Sequence, residues 1–391
     1  MTSTITISTL LCLWGLPIDA SLLDGERLSG ELQSVSSTEA VLVVDGENRT
    51  IPLSEFQEFR WTDSNTPLPS SRPALQTHDG SLLTAESLTA AKQEFTLTNS
   101  RLGELIIPKA SVSNLRLGPL DSTVAAAWEA FLSRESQDDL IVIRKGDALD
   151  HVAGVVSTIS DDSIGLLLDG RAIDLPRSRV FGIIYASSEV PASSPLCVVE
   201  FTDSQRLAAV DMAFADDKLS LTTSEGQVFS LATDAIKRID FSLGKIMYLS
   251  QTEPASVKYP TDHPLYLEAV WKYRRGQNSR GASLQLGGRQ YDNGIWVHSG
   301  TVLRYRLGRQ YRRFQSLMGI DEDLGDCAPQ LGLVIRGDGR VLYEQDVKRT
   351  DEVRELDLDV SDVRELEIEV TSTDPNGICE HLDLVEARLI K

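Results

Sequence analysis

The sequence predicts an all-β chain: tandem small barrel-like β repeats followed by a β-sandwich. Three observations carry this prediction. Apolar residues alternate with period two over most of the 391 residues, in runs that break at Gly, Asp, Asn or Ser. That pattern belongs to strands joined by tight turns. A helical period stands out once, in DSTVAAAWEAFLSRES (121–136), where an Ala run, Trp128 and Phe131-Leu132 make one short amphipathic helix. Finally, one scheme recurs four times before about residue 245 and then stops, as Trp and Tyr become more frequent.

The repeats begin at Leu22, Leu75, Leu140 and Cys197. Each opens on a polar turn: Asp24-Gly25, Asp79-Gly80, Gly146-Asp147 or Asp203-Ser204. A strand, a second turn and an alternating strand follow. Each ends on a short apolar strand marked by Phe56 and Phe59, Val112 and Leu115, Val180 and Ile183, or Ile236 and Ile239. A unit of roughly 45 residues and five short strands makes a small curved sheet. Such a unit buries little core alone, so neighbours are expected to pair. The expected domains are 21–120 (repeats 1 and 2), 121–244 (the helix with repeats 3 and 4) and 245–391. The Trp128 helix would cover an edge or join the pairs. Linkers are expected in SNTPLPSSRP (64–73) and SSEVPASSP (187–195). With a strand, an Asp-Gly turn and then RLSGEL (27–32), each repeat resembles an Sm-like or SH3-like small β-barrel.

The formal charge is −20, while residues from Ala255 onward carry 19 basic and 23 acidic side chains, so most of the excess lies earlier. An acidic surface repels phosphate backbones, which argues for no nucleic-acid partner and leaves neutral ligands such as sugars open. Residues 1–20 include an apolar run, Ile5 to Leu16, too short to span a bilayer. They fit a signal peptide with Ala20 as the cleavage point, which implies export to the periplasm, cell surface or medium. The other reading is a buried N-terminal strand. No transmembrane segment is expected.

Of four cysteines, Cys12 lies in the proposed signal, and Cys197 in PLCVVEF reads as a buried thiol. Cys327 and Cys379 sit in the loop-like stretches GDCAPQ and PNGICEH. In an exported protein they form a disulfide; otherwise they are two free thiols.

Several ordered stretches after residue 280 carry a resemblance. They are LQLGGRQYDNGIWVHSGTVLRYRLGRQYRRF, GIDEDLGD, VIRGDGRVLYE, VSDVRELEIEV and GICEHLDLVEARL. Together they resemble the NPCBM/NEW2-type carbohydrate-binding module found beside family-98 glycoside hydrolases, a galactose-binding-like β-sandwich or jelly roll. The resemblance implies non-catalytic sugar binding, often beside an enzyme domain. Two positions depart from the family: Leu384 replaces the usual Trp, and Glu380 the usual Asp.

The residues themselves are read as follows. Five arginines fall between Arg304 and Arg313. In VLRYRL, however, Leu303, Tyr305 and Leu307 alternate with the basic positions, so the run is the solvated face of a half-buried strand. Trp296 and His298 stand at strand spacing. Either Trp296 stacks on a pyranose ring and His298 bonds a hydroxyl, or both pack structurally. Asp321 and Asp323 in GIDEDLGD either hold a structural Ca²⁺ or form an acidic turn. If Cys327 and Cys379 are bridged, GIDEDLGDC and DPNGICEHLD are neighbours at one end of the sandwich, and the resemblance implies that YDNGIWVHSG lies beside them. They would bring Trp296, His298, Asp321, Asp323, Glu380, His381 and Asp383 to one rim.

No nucleophile elbow, metalloprotease motif, P-loop or paired Cys-x-x-Cys is present, and the five histidines are scattered. The expected function is glycan binding without catalysis. A cell-envelope scaffold, with protein partners bound through the N-terminal repeats, is the alternative. An accessory part of a glycoside hydrolase system comes third.

Overall fold

In the computed structural model, one order of elements recurs four times. The structure describes residues 16–391 except 62–65, 69–70, 92, 135, 169, 187–194, 216–217, 264–265, 324–326 and 373–378. The chain divides into two compact units, 1–243 and 244–391. Cys12, Asp326, residues 64–65 and 69–70 of the first expected linker and 187–194 of the second lie outside the described residues.

Each repeat runs through antiparallel strands, then a 3₁₀ turn, then one last strand. In repeat 1 these are Leu16–Leu22, Arg27–Val35, Glu39–Val44, Glu47–Pro52, the turn Leu53–Glu55 and Phe56–Arg60. Pro52, Pro108 and Pro176 precede the 3₁₀ turn in repeats 1 to 3 with φ near −57°. The pyrrolidine ring fixes that angle. The last strand returns to the first in the same register every time: Ala20 faces Phe59, Leu75 faces Leu115, Ile141 faces Ile183 and Val199 faces Ile239. Among the described residues no ladder joins the fourth strand to the last. Each unit is therefore a small curved sheet with its last strand beside its first, without a fourth-to-last ladder to close it.

The first strand of repeat 1 is Leu16–Leu22, inside the stretch read as a signal peptide. Ile18, Ala20 and Leu22 belong to the core. A cut after Ala20 would split this strand and strip apolar cover from Phe56 and Phe59.

The repeats pair differently from the expected neighbours. Last strands join across repeats: Phe59 faces Ile239, and Leu115 faces Ile183. Repeat 1 shares one core with repeat 4, and repeat 2 shares another with repeat 3. The helix is Ala125–Leu132, shorter at both ends than its periodicity suggested. Its Trp128 packs edge-on against Phe181, with ring centroids 5.4 Å apart. A Cβ on Gly182 would lie 2.6 Å from the Trp128 ring, so this glycine lets the indole lie against the strand.

The second unit is a two-sheet antiparallel sandwich. One sheet contains Gly294–His298, His381–Ile390, Arg313–Ile320 and Arg354–Asp359, with Ile246–Tyr248 also paired to His381–Ile390. The other contains Ser256–Lys258, Thr301–Arg306, Glu365–Ser372, Gln330–Gly337 and Arg340–Lys348. Leu303, Tyr305, Phe314, Ile335, Ile368 and Leu389 fill the single core between them. A single helical turn, Glu268–Trp271, adds to what read as strands alone. The arginine run is solvated as expected but is divided between the two sheets: Arg304 pairs with Glu367 on one outer face and Arg313 with Asp357 on the other.

Candidate functional site

Three neighbouring strands gather the candidate residues on the sandwich. Trp296 faces Asp383 and His298 faces His381 across one ladder. On the other side of the same strand Gly319 faces Asp383, and the Asp321 amide donates to the His381 carbonyl at 3.1 Å. Alternation does the sorting. Ile295, Val297, Leu382 and Leu384 enter the sandwich core, so Trp296, His298, His381 and Asp383 share the opposite face. The expected convergence is present, but it is carried by strands rather than by loop tips.

That face is roofed. The hairpin Leu284–Leu286 and Arg289–Tyr291 places Leu284 and Leu286 against Trp296 and Val385. A Cβ on Gly319 would lie 2.5 Å from Leu286 Cδ1, so the hairpin sits this low only over glycine. Trp271 covers His298, its ring stacked at 3.9 Å and 14°. Tyr266 packs edge-on against Trp271.

Burial corrects the roles given to several residues. Trp296 is 0% exposed, and its Nε1–H donates to Asp321 Oδ2 at 2.9 Å. A ring with no open face is no stacking plate; it positions a carboxylate. His298 is also buried, with Nδ1 3.0 Å from the Ser299 carbonyl. Asp321, Glu380 and Asp383 are buried as well, which leaves Asp323 and His381 as the partly exposed members of the set.

Asp321 and Asp323 do not fit the calcium reading. Asp321 Oδ1 accepts the Asp323 amide at 3.0 Å while Oδ2 is taken by Trp296. Asp323 accepts from Arg280 Nη1 at 2.8 Å and Asn278 Nδ2 at 3.2 Å. Oxygens occupied by N–H donors and a guanidinium are poor partners for a hard cation. Among the described residues no group of three His, Cys, Asp or Glu side chains could hold a metal.

The electrostatics are those of buried, largely neutral groups. Burial, then His298 and Arg280, hold His381 down to about 3 from its ordinary 6.5. Burial also lowers His298. Both imidazoles are neutral at pH 7, and each then offers one donor and one acceptor nitrogen. Burial, reinforced by Asp321, pushes Asp383 well above the ordinary carboxylate range, opposed by the Gln285 backbone amide. Burial raises Asp321 too, against its two hydrogen bonds. Neither Asp383 oxygen makes a hydrogen bond of ordinary geometry, nor does His381 Nδ1. Unfilled polar capacity therefore concentrates at Asp383 and His381, and buried groups are seldom left so in folded proteins.

Cys327 and Cys379 are bridged across 52 residues. The bridge ties the segment after Asp323 to the start of the strand that carries His381 and Asp383. Sequence reasoning missed Trp271, Asn278 and Arg280. Their stretch, WKYRRGQNSRG, is rich in rings and polar groups but has no strand or helix period by which to orient it.

Residues 247–390 match the family model of the NPCBM/NEW2 domain. Among solved structures, the chain is similar to the CBM51 module of a Clostridium perfringens GH95 protein in complex with methyl-galactose. The two are 18% identical over 37% of this chain and 99% of that one, with a TM-score of 0.32. It is similar to CBM51-2 with GlcNAc and INT domains of Clostridium perfringens ZmpB, at 17% identity over 46% of this chain and 43% of that one, with a TM-score of 0.33. It is also similar to the tandem CBM51 modules of Sp3GH98, a family 98 glycoside hydrolase of Streptococcus pneumoniae SP3-BS71. There the identity is 12% over 95% of this chain and 88% of that one, with a TM-score of 0.32. No curated protein matches the chain.

Proposed function

We propose that this protein binds a glycan through its C-terminal sandwich and does no chemistry on it. The match of residues 247–390 to the NPCBM/NEW2 domain carries this reading. The site's chemistry agrees with it. A sugar offers hydroxyls that donate and accept; the neutral, partly exposed His381 ring carries one donor and one acceptor nitrogen, and the exposed Arg280 guanidinium donates. In this reading His381 and the exposed Arg280 meet the ligand, while Asp323 pairs with Arg280 at 2.8 Å and the buried Trp296 ring packs edge-on against His381. The test is titration of the full chain against a panel of neutral glycans. Wild-type binding that drops at least tenfold, about 1.4 kcal/mol, in His381→Ala with an unchanged melting profile supports the reading. Equal affinity in both moves the site elsewhere.

A scaffold role in the cell envelope is the second reading. It is favoured by the burial of Trp296 and by Leu384 where the family has Trp, so neither position offers an aromatic plate. The N-terminal repeats then serve as Sm-like or SH3-like units that take protein partners. Export remains part of the proposal with one change. Because Leu16–Leu22 is a core strand, the cleavage point falls before Leu16.

A further inference from the structure

We propose that the fourth strand of repeat 4, Val228–Ala232, pairs antiparallel with the same strand of a second copy of this chain. Every repeat leaves its fourth strand at the edge of a sheet, laddered on one side only among the described residues. Such an edge offers a row of main-chain N–H and C=O groups to any passing strand, so folded proteins guard it with charges, prolines or bulges. Three of the four edges are guarded and the fourth is not.

In repeats 1 to 3 the residue after the edge strand donates its amide back toward the third strand. Leu53 donates to the Thr38 carbonyl at 2.8 Å, Lys109 to Gln93 at 2.7 Å and Arg177 to Asp162 at 2.9 Å. Amides alternate in direction along a strand, so the residue before each donor points outward. That residue is Pro52, Pro108 or Pro176, which has no N–H to offer. Each of these strands is also charged: Glu47 and Arg49, Glu104, Arg171 and Asp174. Repeat 4 has neither device. Its strand reads VFSLA, without a charge, and Ala232 stands where the others have proline. The Thr223 amide donates to the Gln227 carbonyl at 2.9 Å, so by the same alternation Val228, Ser230 and Ala232 turn their N–H and C=O groups outward. None of the three bonds a described residue on that side. All three are exposed, and Val228, at 68%, is the most exposed large apolar residue among those described.

A second copy fits this edge because the edge is complementary to itself. With a two-fold axis at Ser230, Val228 of one copy faces Ala232 of the other, and Ser230 faces Ser230. All three outward-facing residues then fall in hydrogen-bonded pairs, each exchanging two main-chain bonds. The unit carries most of the chain's acidic excess, yet no charge enters this ladder. The nearest acids, Glu225 and Asp234, lie in turns beyond its ends. A two-fold contact closes on itself and stops at two copies. A strand of 5 residues buries far less than the roughly 1,200–2,000 Å² of a stable interface, so the pair forms and parts with concentration. Each copy brings its own sandwich, and a polymer of repeated sugars is then held at two points. That consequence rests on the glycan reading; the pairing itself does not.

Sedimentation velocity of the full chain over a concentration series, with no glycan present, tests the pairing. Wild type should pass from one copy to two as concentration rises. Ala232→Pro should weaken association at least tenfold and keep the melting profile, because Ala232 already sits at φ −74°, an angle proline accepts. Val228→Lys should weaken it as much. Ile106→Lys, on the guarded edge of repeat 2, should change nothing. Oxidation should join Ser230→Cys into a covalent dimer. It should not join Val228→Cys, whose two copies would stand roughly 13 Å apart along the ladder, beyond the ~7 Å between Cα atoms that a disulfide spans. One copy at every concentration overturns the proposal and leaves the edge to an extended segment of another protein. Association untouched by both Ala232→Pro and Val228→Lys, or a covalent dimer from Val228→Cys and none from Ser230→Cys, overturns it as well.

Discussion

The two units bury their apolar surface in different ways. In the sandwich, one core lies between two sheets whose strands come from along the whole unit. In the N-terminal unit, four similar sheets, each too small to stand alone, build two cores by joining their last strands. Repeat 1 finds its partner in repeat 4, across the length of the other two. Local pattern decides which residues become strands, but the choice of partner is made by whichever last strand completes the core. The sandwich should therefore melt as one transition, while the repeats should fail in pairs.

Deleting residues 1–22 should have the largest effect. It removes three core side chains, Ile18, Ala20 and Leu22, together with the strand that pairs with Phe56–Arg60. The cost is roughly 5 kcal/mol or more from large apolar side chains and sheet pairing. Calorimetry should show the core of repeats 1 and 4 lost while the sandwich transition keeps its midpoint. A parallel fall in the sandwich transition would merge the two units into one.

Next comes the bridge. Replacing Cys327 and Cys379 with Ser opens a loop spanning 52 residues, which the chain-entropy model values at about 4 kcal/mol. Only the sandwich transition should move. Gly182→Val should follow at about 1–3 kcal/mol, because its side chain meets the Trp128 ring. That loss should fall on repeats 2 and 3 and leave the pair formed by repeats 1 and 4 in place.

The effects of pH should separate two groups at one site. The folded pKa of His381, about 3, lies below the ordinary 6.5. Unfolded chains then bind the proton first, so the sandwich loses stability as pH falls from 6.5 toward 3. Asp383 has the opposite sign: its pKa is raised, so it costs stability as pH rises through the ordinary carboxylate value. Asp383→Asn should therefore raise the sandwich midpoint at pH 7, by about 1 kcal/mol for relief of an unpartnered buried carboxyl. The gain should vanish near pH 3. A midpoint lowered at pH 7 would mean that the carboxyl has a partner in solution. The smallest effect belongs to Arg306→Ala, an exposed position on the arginine face, expected to stay within about 0.5 kcal/mol.

Legibility in the sequence followed the same division. Alternation placed the strands of both units, and the closing pairs such as Phe56 and Phe59 do lie in last strands at every repeat. The first strand of repeat 1 stood only as the alternative to a signal peptide, because an apolar run such as this fits both. The turn at Asp24-Gly25, aligned with the other three opening turns, was the clue that a strand must precede it, as LIVIRK does in repeat 3. At the site, the expected bridge and the family resemblance brought Trp296, His298, His381 and Asp383 to one rim. Neither could tell whether that rim was open. The roof depends on Gly319, Leu286 and Trp271 meeting across the fold, and no local period records that.

The central claim is that the sandwich, through the surface at His381 and Arg280, is a non-catalytic glycan-binding module. Its most direct test is a glycan array probed with the full chain, its His381→Ala variant and its Arg306→Ala variant. The account predicts retention of at least one neutral glycan by wild type and Arg306→Ala, loss in His381→Ala, and recovery of that glycan chemically unchanged. Retention by no glycan, cleavage of the bound one, or loss in Arg306→Ala with retention in His381→Ala would contradict it.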